Sequence, residues 1–574
     1  MIRLMRFLKP YWLEVVGVLI LTLFGVFSEL FLPRLMGNIV DRGIATGDIN
    51  YIYRTGFLML LIAVLGTIAT VYSRYLSATS ASAYGRDLRG AVFTKVQDFT
   101  LNEFDKMGTS SMITRTTNDI NQMQQVTIMS MRMMVRAPFM LIGGLIMAIT
   151  TNLELSKVLL IAAPILIGVI TLVGYKGFPL FKEIQKKIDG LNKVLREELT
   201  GIRVIRAFNK TSYEEKRFNV ANRSLTDTAL KVARLMALMM PLLSLILNFT
   251  IIGVIWYGSG LISRLDLEVG GLMAFIQYVS QIMFSLIMVS MIFVAIPRAS
   301  ASATRINEVL DLETEIIDGT DFSNDKIKGE LVFRDVGFSY QGAESPAVCN
   351  ISFKTSLGKT TAIIGGTGSG KTTLLNLIMR FYDVTEGEIL LNGENIKDLK
   401  QEELRKHFGL VSQKPLLFTG SIRDNIRFGN DDATDDEIIE ALKISQIHDF
   451  VKQNEKGLDY VLAQGGKNLS GGQKQRLSIA RALVRKPEIY LFDDSFSALD
   501  FKTDRMVRDN LKKVTEDSAI VIIAQRVSTI RDADNIIVLD EGKIVGQGRH
   551  EDLVKNCDVY REIVLSQLGE EALK

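Results

Sequence analysis

The sequence predicts a membrane α-helical domain, six transmembrane helices with long cytoplasmic extensions, fused to a soluble α/β P-loop nucleotide-binding domain. Three observations carry this expectation. Six apolar stretches lie before residue 300, each close to the roughly 20 residues a helix needs to cross hydrocarbon. A glycine-rich phosphate-binding motif lies in the second half, at Gly365 to Thr372. From Gly329 onward, β-rich runs alternate with helical stretches, the pattern of α/β layers around a largely parallel sheet.

Bulk properties agree with a part-membrane chain. At 574 residues it exceeds one ordinary domain, and a mean hydropathy of +0.20 is high for a soluble enzyme. A formal net charge of +3 gives no case for nucleic acid as a partner. Cys349 and Cys557 stand far apart without C-x-x-C spacing, which excludes a disulfide framework and a zinc site of that kind.

The start, M-I-R-L-M-R-F-L-K-P, reads as a short amphipathic helix on the inner membrane surface. The spans follow at about Tyr11 to Leu32, Ile52 to Tyr72, Ala137 to Asn152, Val158 to Tyr175, Leu235 to Ile262 and Leu272 to Ile296. The N-terminus and the long hydrophilic segments Arg74 to Arg136 and Lys176 to Arg234 hold about twenty-five Lys and Arg, the short loops about five. Both termini and the second domain are therefore expected in the cytoplasm. The long segments carry apolar residues at helical spacing, as in Leu191, Val194 and Leu195, so the spans are expected to continue as a stalk. At its turning points, Phe104 to Asp119 and Arg203 to Phe218 read either as docking helices or as solvated hairpins.

Within the first span, Glu29 has two readings: a contact for cationic substrates in a water-filled cavity, or a carboxylate hydrated near the outer interface. Met236, Met239, Met240, Phe275, Met283, Phe284 and Met288 either line an adaptable apolar pocket or pack against lipid. Residues 1–300 are thus assigned to the membrane domain, 301–328 to a linker of small, then acidic and polar residues, and 329–574 to the nucleotide-binding domain.

The P-loop, T-A-I-I-G-G-T-G-S-G-K-T-T-L-L, begins on an apolar strand and ends on a helix. Gly365, Gly366, Thr367, Gly368, Ser369 and Gly370 supply a loop whose N–H groups turn toward phosphate oxygens, and the helix start at Lys371, Thr372 and Thr373 adds its positive end. The Lys371 ammonium is expected on the β- and γ-phosphates of ATP and the Thr372 hydroxyl on Mg²⁺. Tyr340, in F-S-Y, either stacks on adenine or is a half-buried strand tyrosine. The strand I-Y-L-F-D-D fits a Walker B element, with Asp493 holding Mg²⁺ and Asp494 where a general base is expected. Gln413 offers an amide near metal and γ-phosphate. Leu469, Ser470, Gly471, Gly472 and Gln473 open a helix and form a second anion site, one that suits another molecule's nucleotide.

With these motifs in this order, and Ser497 to Asp500 reading S-A-L-D, the chain resembles the ATP-binding cassette family, specifically an exporter half-transporter. The resemblance implies a dimer with cassettes head to tail, each ATP lying between one P-loop and the partner's L-S-G-G-Q, Asp500 beside it, and the two turning points as coupling regions. It also marks departures. The usual glutamate after the Walker B aspartate is Asp494, the switch histidine position after the strand Ala519 to Ala524 is Gln525, and Gln464 stands where many exporters carry a glutamate. In this the chain is similar to the degenerate-site subunit of heterodimeric bacterial multidrug exporters of the LmrC/LmrD or EfrC/EfrD type. The expected partners are a second half-transporter, the bilayer of the plasma membrane and a small amphipathic substrate. Export of a dedicated lipid or peptide, and an ATP-binding regulatory subunit, stay open as alternatives.

Overall fold

The computed structural model describes residues 1–319, 329–514 and 516–569. They form two compact units, one of Met1–Asp98 with Met107–Leu312, the other of Phe99–Lys106 with the chain from Glu313 onward. The second unit thus takes in a short segment from within the first half of the sequence.

The first unit is helical. After a tight helical segment at Ile2–Tyr11 come α1 (Trp12–Asn38) and α2 (Ile49–Gln97). The short α3 (Leu101–Met107) lies, up to Lys106, in the second unit. The first unit resumes with α4 (Thr109–Thr151), α5 (Leu153–Ala207), α6 (Thr211–Ser263) and α7 (Val269–Asp311). Six helices are long and apolar enough to cross a membrane among the described residues. They extend well past the apolar stretches, and α5 runs for 55 residues, about 80 Å at 1.5 Å per residue.

Small residues let these helices approach. A Cβ on Gly270 would lie 2.1 Å from the Gly37 carbonyl oxygen, and one on Gly143 would lie 2.4 Å from Leu30 Cδ1. Such close backbone contact replaces the hydrophobic drive that lipid does not supply between helices. Thr22 and Ser73 hydroxyls meet at 2.9 Å across α1 and α2. At the far end of α7, Arg305 and Ser302 hold the buried carboxylate of Asp119.

Two expectations change here. The small-residue stretch assigned to a linker is helical as far as Asp311, because Ala301, Ala303, Arg305 and Glu308 are good helix formers and Asp119 and Arg115 bind that turn. Residues 320–328 of that linker lie outside the described residues. The turning points also differ from each other. Phe104 to Asp119 is split at Gly108, whose φ of +73° breaks the helix, whereas Arg203 to Phe218 is a tight turn between α5 and α6 with no helix of its own.

The second unit is built on a six-stranded sheet in the order β12-β11-β3-β10-β9-β6. Its strands are β3 (Thr360–Gly365), β6 (Phe408–Val411), β9 (Ile489–Asp493), β10 (Ala519–Ile523), β11 (Asn535–Asp540) and β12 (Lys543–Gly548). All neighbours pair parallel except β11 and β12. Ile489, Leu491, Val521 and Ile523 face one apolar cluster, while Tyr490, Phe492, Ile520 and Ile522 face the other. Burial on both faces explains the unbroken apolar runs. A separate antiparallel sheet, in the order β2-β1-β4-β5, comprises β1 (Leu331–Phe338), β2 (Val348–Thr355), β4 (Glu386–Leu391) and β5 (Glu394–Asn395). The largely parallel expectation therefore holds for the six-stranded sheet but not for this one, and β7 (Gly420–Ser421) with β8 (Val461–Leu462) makes a small ribbon.

Candidate nucleotide site at the strand ends

Strand register sets the site. Ile523 pairs with Ile363 on one side and Asp493 on the other, and Val411 pairs with Phe492. Four parallel strands therefore end at one level, and the loops leaving them carry the P-loop, Gln413, Asp494 and Gln525. Ligand sites of open α/β sheets lie at such carboxyl ends.

The P-loop leaves β3 and enters α8 (Lys371–Ile378). Gly370 takes φ +95°, and a Cβ there would meet Val348 Cγ1 at 2.6 Å and the Ala347 carbonyl at 2.8 Å. The Lys371 ammonium turns inward and donates to the Gly365 and Gly366 carbonyls at 2.9 and 2.5 Å. Burial pushes its pKa down, opposed by the carboxylates of Asp494 and Asp493. Thr372, beside it, is exposed at the helix start. The Tyr340 hydroxyl lies 3.1 Å from Thr373 Oγ1, and its ring meets Phe338 and Tyr382 edge-on, so Tyr340 is a partly exposed ring tied to the P-loop helix.

Asp493 is buried at the end of β9, and burial together with the neighbouring Asp494 carboxylate raises its pKa. That is the electrostatics of a site ready for a cation. Asp494 has φ +44°, donates its N–H to the Ile523 carbonyl at 2.7 Å, and accepts from Gln413 Nε2 at 3.4 Å. Gln525 is exposed, and its carbonyl accepts from Gln567 Nε2 at 2.7 Å. Gln567 Oε1 also takes the Val527 N–H, so the C-terminal helix Asp558–Leu568 brackets the segment after β10. Nothing local in the sequence signals this bracket.

Ser470 is the N-cap of α9 (Gly471–Val484) in a capping box. Its hydroxyl accepts from the Gln473 N–H, and Gln473 Oε1 accepts from the Ser470 N–H. The signature is therefore a preformed helix start, with Leu469 buried and Ser470 and Gly471 exposed. Gly472 sits where a Cβ would lie 3.4 Å from the Ala498 carbonyl. Asp500 caps α10 (Phe501–Val514), accepting from Thr503 Oγ1 and N–H, and these bonds lower its pKa. Among the described hydrogen bonds, none joins residues 469–473 to the P-loop. Glycine cradle, inward lysine, exposed Thr372 and buried Asp493 fit a magnesium nucleotide; Lys371 and the loop N–H groups would hold its phosphates, and Thr372, Gln413 and Asp493 would hold the metal.

A further contact escaped sequence reasoning. Glu103 of α3 is buried within the second unit and accepts from the Thr100 N–H, the Thr100 hydroxyl and the Glu315 N–H. Asn102 and Lys106 bind the Glu315 carboxylate. Residues 100–106, where the first turning point begins, are thus tied to Glu315 within the second unit, whereas Phe208 and Tyr213 at the second are exposed.

Comparison with known proteins agrees with this architecture. Residues 15–286 match the ABC transporter transmembrane region and residues 348–497 the ABC transporter domain. An uncharacterized ABC transporter ATP-binding protein of Mycobacterium tuberculosis is 40% identical, with 98% of this chain and 97% of the relative covered. The ABC transporter ATP-binding protein YfiB of Bacillus subtilis is 38% identical over 99% of each. An ATP-dependent lipid A-core flippase of Vibrio vulnificus is 29% identical over 99% of this chain and 97% of its own length. The solved structure of a bacterial Atm1-family ABC exporter with ATP bound superposes with a TM-score of 0.81 at 26% identity, covering 97% and 98% of the two chains. The chain therefore belongs to the ABC transporter family, as a multi-pass exporter half-transporter whose membrane region is fused to an ATP-hydrolysing cassette.

Proposed function

We propose that this chain is one subunit of a heterodimeric exporter of amphipathic, drug-like compounds in a bacterial plasma membrane, with an impaired ATP site of its own and an intact signature that completes the partner's. The observation that carries it is the pairing of Asp494 and Gln525 at adjacent strand ends. Asp494 is one methylene shorter than the family's glutamate and held by Gln413 and Ile523, and Gln525 offers an amide where an imidazole is expected. A base misplaced by about 1 Å can lose ~100-fold in rate. Bound Mg²⁺ neutralises phosphate charge; this chain's Gly365 to Thr373 would grip ATP while Asp494 is poorly placed to take a proton from water.

The preformed Ser470 capping box supports a role on the partner's nucleotide, and the exposed Phe208 and Tyr213 suit docking on the partner's cassette. A lipid substrate is the second reading, favoured by the lipid A-core flippase relative. The test is ATP turnover of the purified chain alone and with a co-expressed partner. Slow turnover alone, restored with the partner and lost on Ser470→Ala, is expected; fast turnover as a homodimer overturns the proposal.

A further inference from the structure

The C-terminal helix Asp558–Leu568 is rooted in the cassette at one end and grips a loop of the nucleotide site with the other. Tyr560 and Val564 are fully buried in the apolar core, and the Tyr560 hydroxyl lies 2.8 Å from Nδ1 of the buried His550. Spacings of four and three residues put Gln567 on the same helical face as these two. Unlike them, it is exposed.

The Gln567 carboxamide spans the segment that leaves β10. Its Nε2 donates to the Gln525 carbonyl at 2.7 Å, and its Oε1 accepts the Val527 N–H at 2.8 Å. One side chain thus stands in for the peptide group of a neighbouring parallel strand. Because Gln567 is exposed, water would satisfy its amide almost as well, and the net stability gained is small. What the two bonds fix is the place of the residue between them.

That residue is Arg526, whose Nη2 donates to the Ser497 carbonyl at 3.1 Å. Ser497 Oγ donates to the Asp494 carbonyl at 2.8 Å, and the Asp494 N–H donates to the Ile523 carbonyl at 2.7 Å. These bonds close a ring through Ile523, Asp494, Ser497 and Arg526. The ring carries Gln525 and begins the turn Ser497 to Asp500, where a Cβ on Gly472 of the signature would lie 3.4 Å from the Ala498 carbonyl. Gln567 holds the ring on both sides of Arg526 and ties it to a helix fixed in the core.

We infer that Gln567 is a positioning residue for ATP hydrolysis: by pinning Gln525 and Val527 it keeps Gln525 beside Asp494 and sets Arg526 on the Ser497 to Asp500 turn. The inference rests on the ATP chemistry of the cassette and not on a heterodimer. A slow site changes the absolute rate, not the ratio between variants.

Single-turnover cleavage of limiting ATP by an excess of the full-length protein in phosphatidylcholine nanodiscs reads slow and fast sites alike. Three variants are compared: Gln567→Ala, Gln567→Glu, which keeps only the acceptor, and Gln567→Lys, which keeps only a donor. Each should lower the rate constant about tenfold, short of the ~100-fold that misplacing a reacting group by about 1 Å can cost. The half-saturating protein concentration should stay within about twofold of the wild type, because Gly365 to Thr373 are untouched. All three should melt with the wild type, since the substituted side chain lies on the surface. Arg526→Ala should lower the rate constant to a similar extent, and adding Gln567→Ala should lower it no further, because the two residues act in series. A wild-type rate constant in Gln567→Ala, a loss confined to ATP affinity, additive losses in the double variant, or losses that follow the melting temperature across the variants overturns the inference.

Discussion

Gln413 Nε2 donates to Asp494 Oδ2 at 3.4 Å, joining the loop after β6 to the residue that follows the buried Asp493. Asp494 is held in a left-handed backbone conformation, φ +44°, which short polar side chains tolerate better than long ones. Geometry and chemistry therefore pull apart at this position: a glutamate reaches farther, and an aspartate fits the backbone more easily. Asp494→Glu with Gln525→His should raise ATP turnover of the purified chain about ten- to hundredfold, the range for a general base brought into place. Asp494→Asn should lower whatever turnover remains. Phosphate release at saturating ATP measures both, and an unchanged rate in the double variant would remove the impaired-site proposal.

Glu103 gives a pH prediction. Burial alone would raise its pKa, yet the Thr100 hydroxyl, the Glu315 N–H and the Thr100 N–H together hold it below the ordinary carboxylate value. A group whose folded pKa is depressed stabilises the folded state above its unfolded pKa, and this stabilisation is lost as pH falls through the folded one. The loss should therefore begin below about pH 4.5, the ordinary glutamate range. Glu103→Gln should cost about 1.5–3 kcal/mol near neutral pH, the range for hydrogen bonds to a charged group, and flatten the acid limb. Thermal melts between pH 3 and 7 check the sign.

What was legible in the sequence follows from how far each feature reaches along the chain. The P-loop, the Walker B strand and the signature are contiguous, so their chemistry is spelled out locally. Glu29 was visible as a charge in a span, but its meaning depended on Arg136, 107 residues away, which no periodicity reports. The Glu103 contact with Glu315 and the Gln567 bracket on Gln525 and Val527 join distant residues in the same way. The small residues from Ala301 read as linker in the sequence, yet alanine is also the best helix former, and helix α7 continues through them to Asp311.

Gly370 tests how tightly the P-loop is built. A methyl group would meet Val348 and Ala347 at under 3 Å, in a backbone conformation that favours glycine. Gly370→Ala should destabilise the cassette by at least about 2 kcal/mol and weaken ATP binding beyond what loss of stability explains. Thermal unfolding with and without ATP separates the two effects. Normal ATP protection would mean that the loop relaxes without disturbing its phosphate contacts.

Asp41 tests the joint between the first and last spanning helices. Its two carboxylate oxygens accept the Gly270 and Gly271 N–H groups at 2.6 and 3.1 Å. Glu268, the residue that precedes α7, makes no side-chain cap. A residue just past the end of α1 therefore caps α7 from another helix, at the place where Gly37 and Gly270 let the backbones touch. Asp41→Ala leaves two N–H groups of that first turn without their acceptor and should cost about 1–2 kcal/mol, with Asp41→Asn recovering part of it through one oxygen. Gly270→Ala should cost more, because the added methyl collides with the Gly37 carbonyl itself. Thermal unfolding of the three variants in the same detergent should rank them Asn, Ala, then Gly270→Ala; if Asp41→Ala melts with the wild type, the cap contributes nothing to the joint.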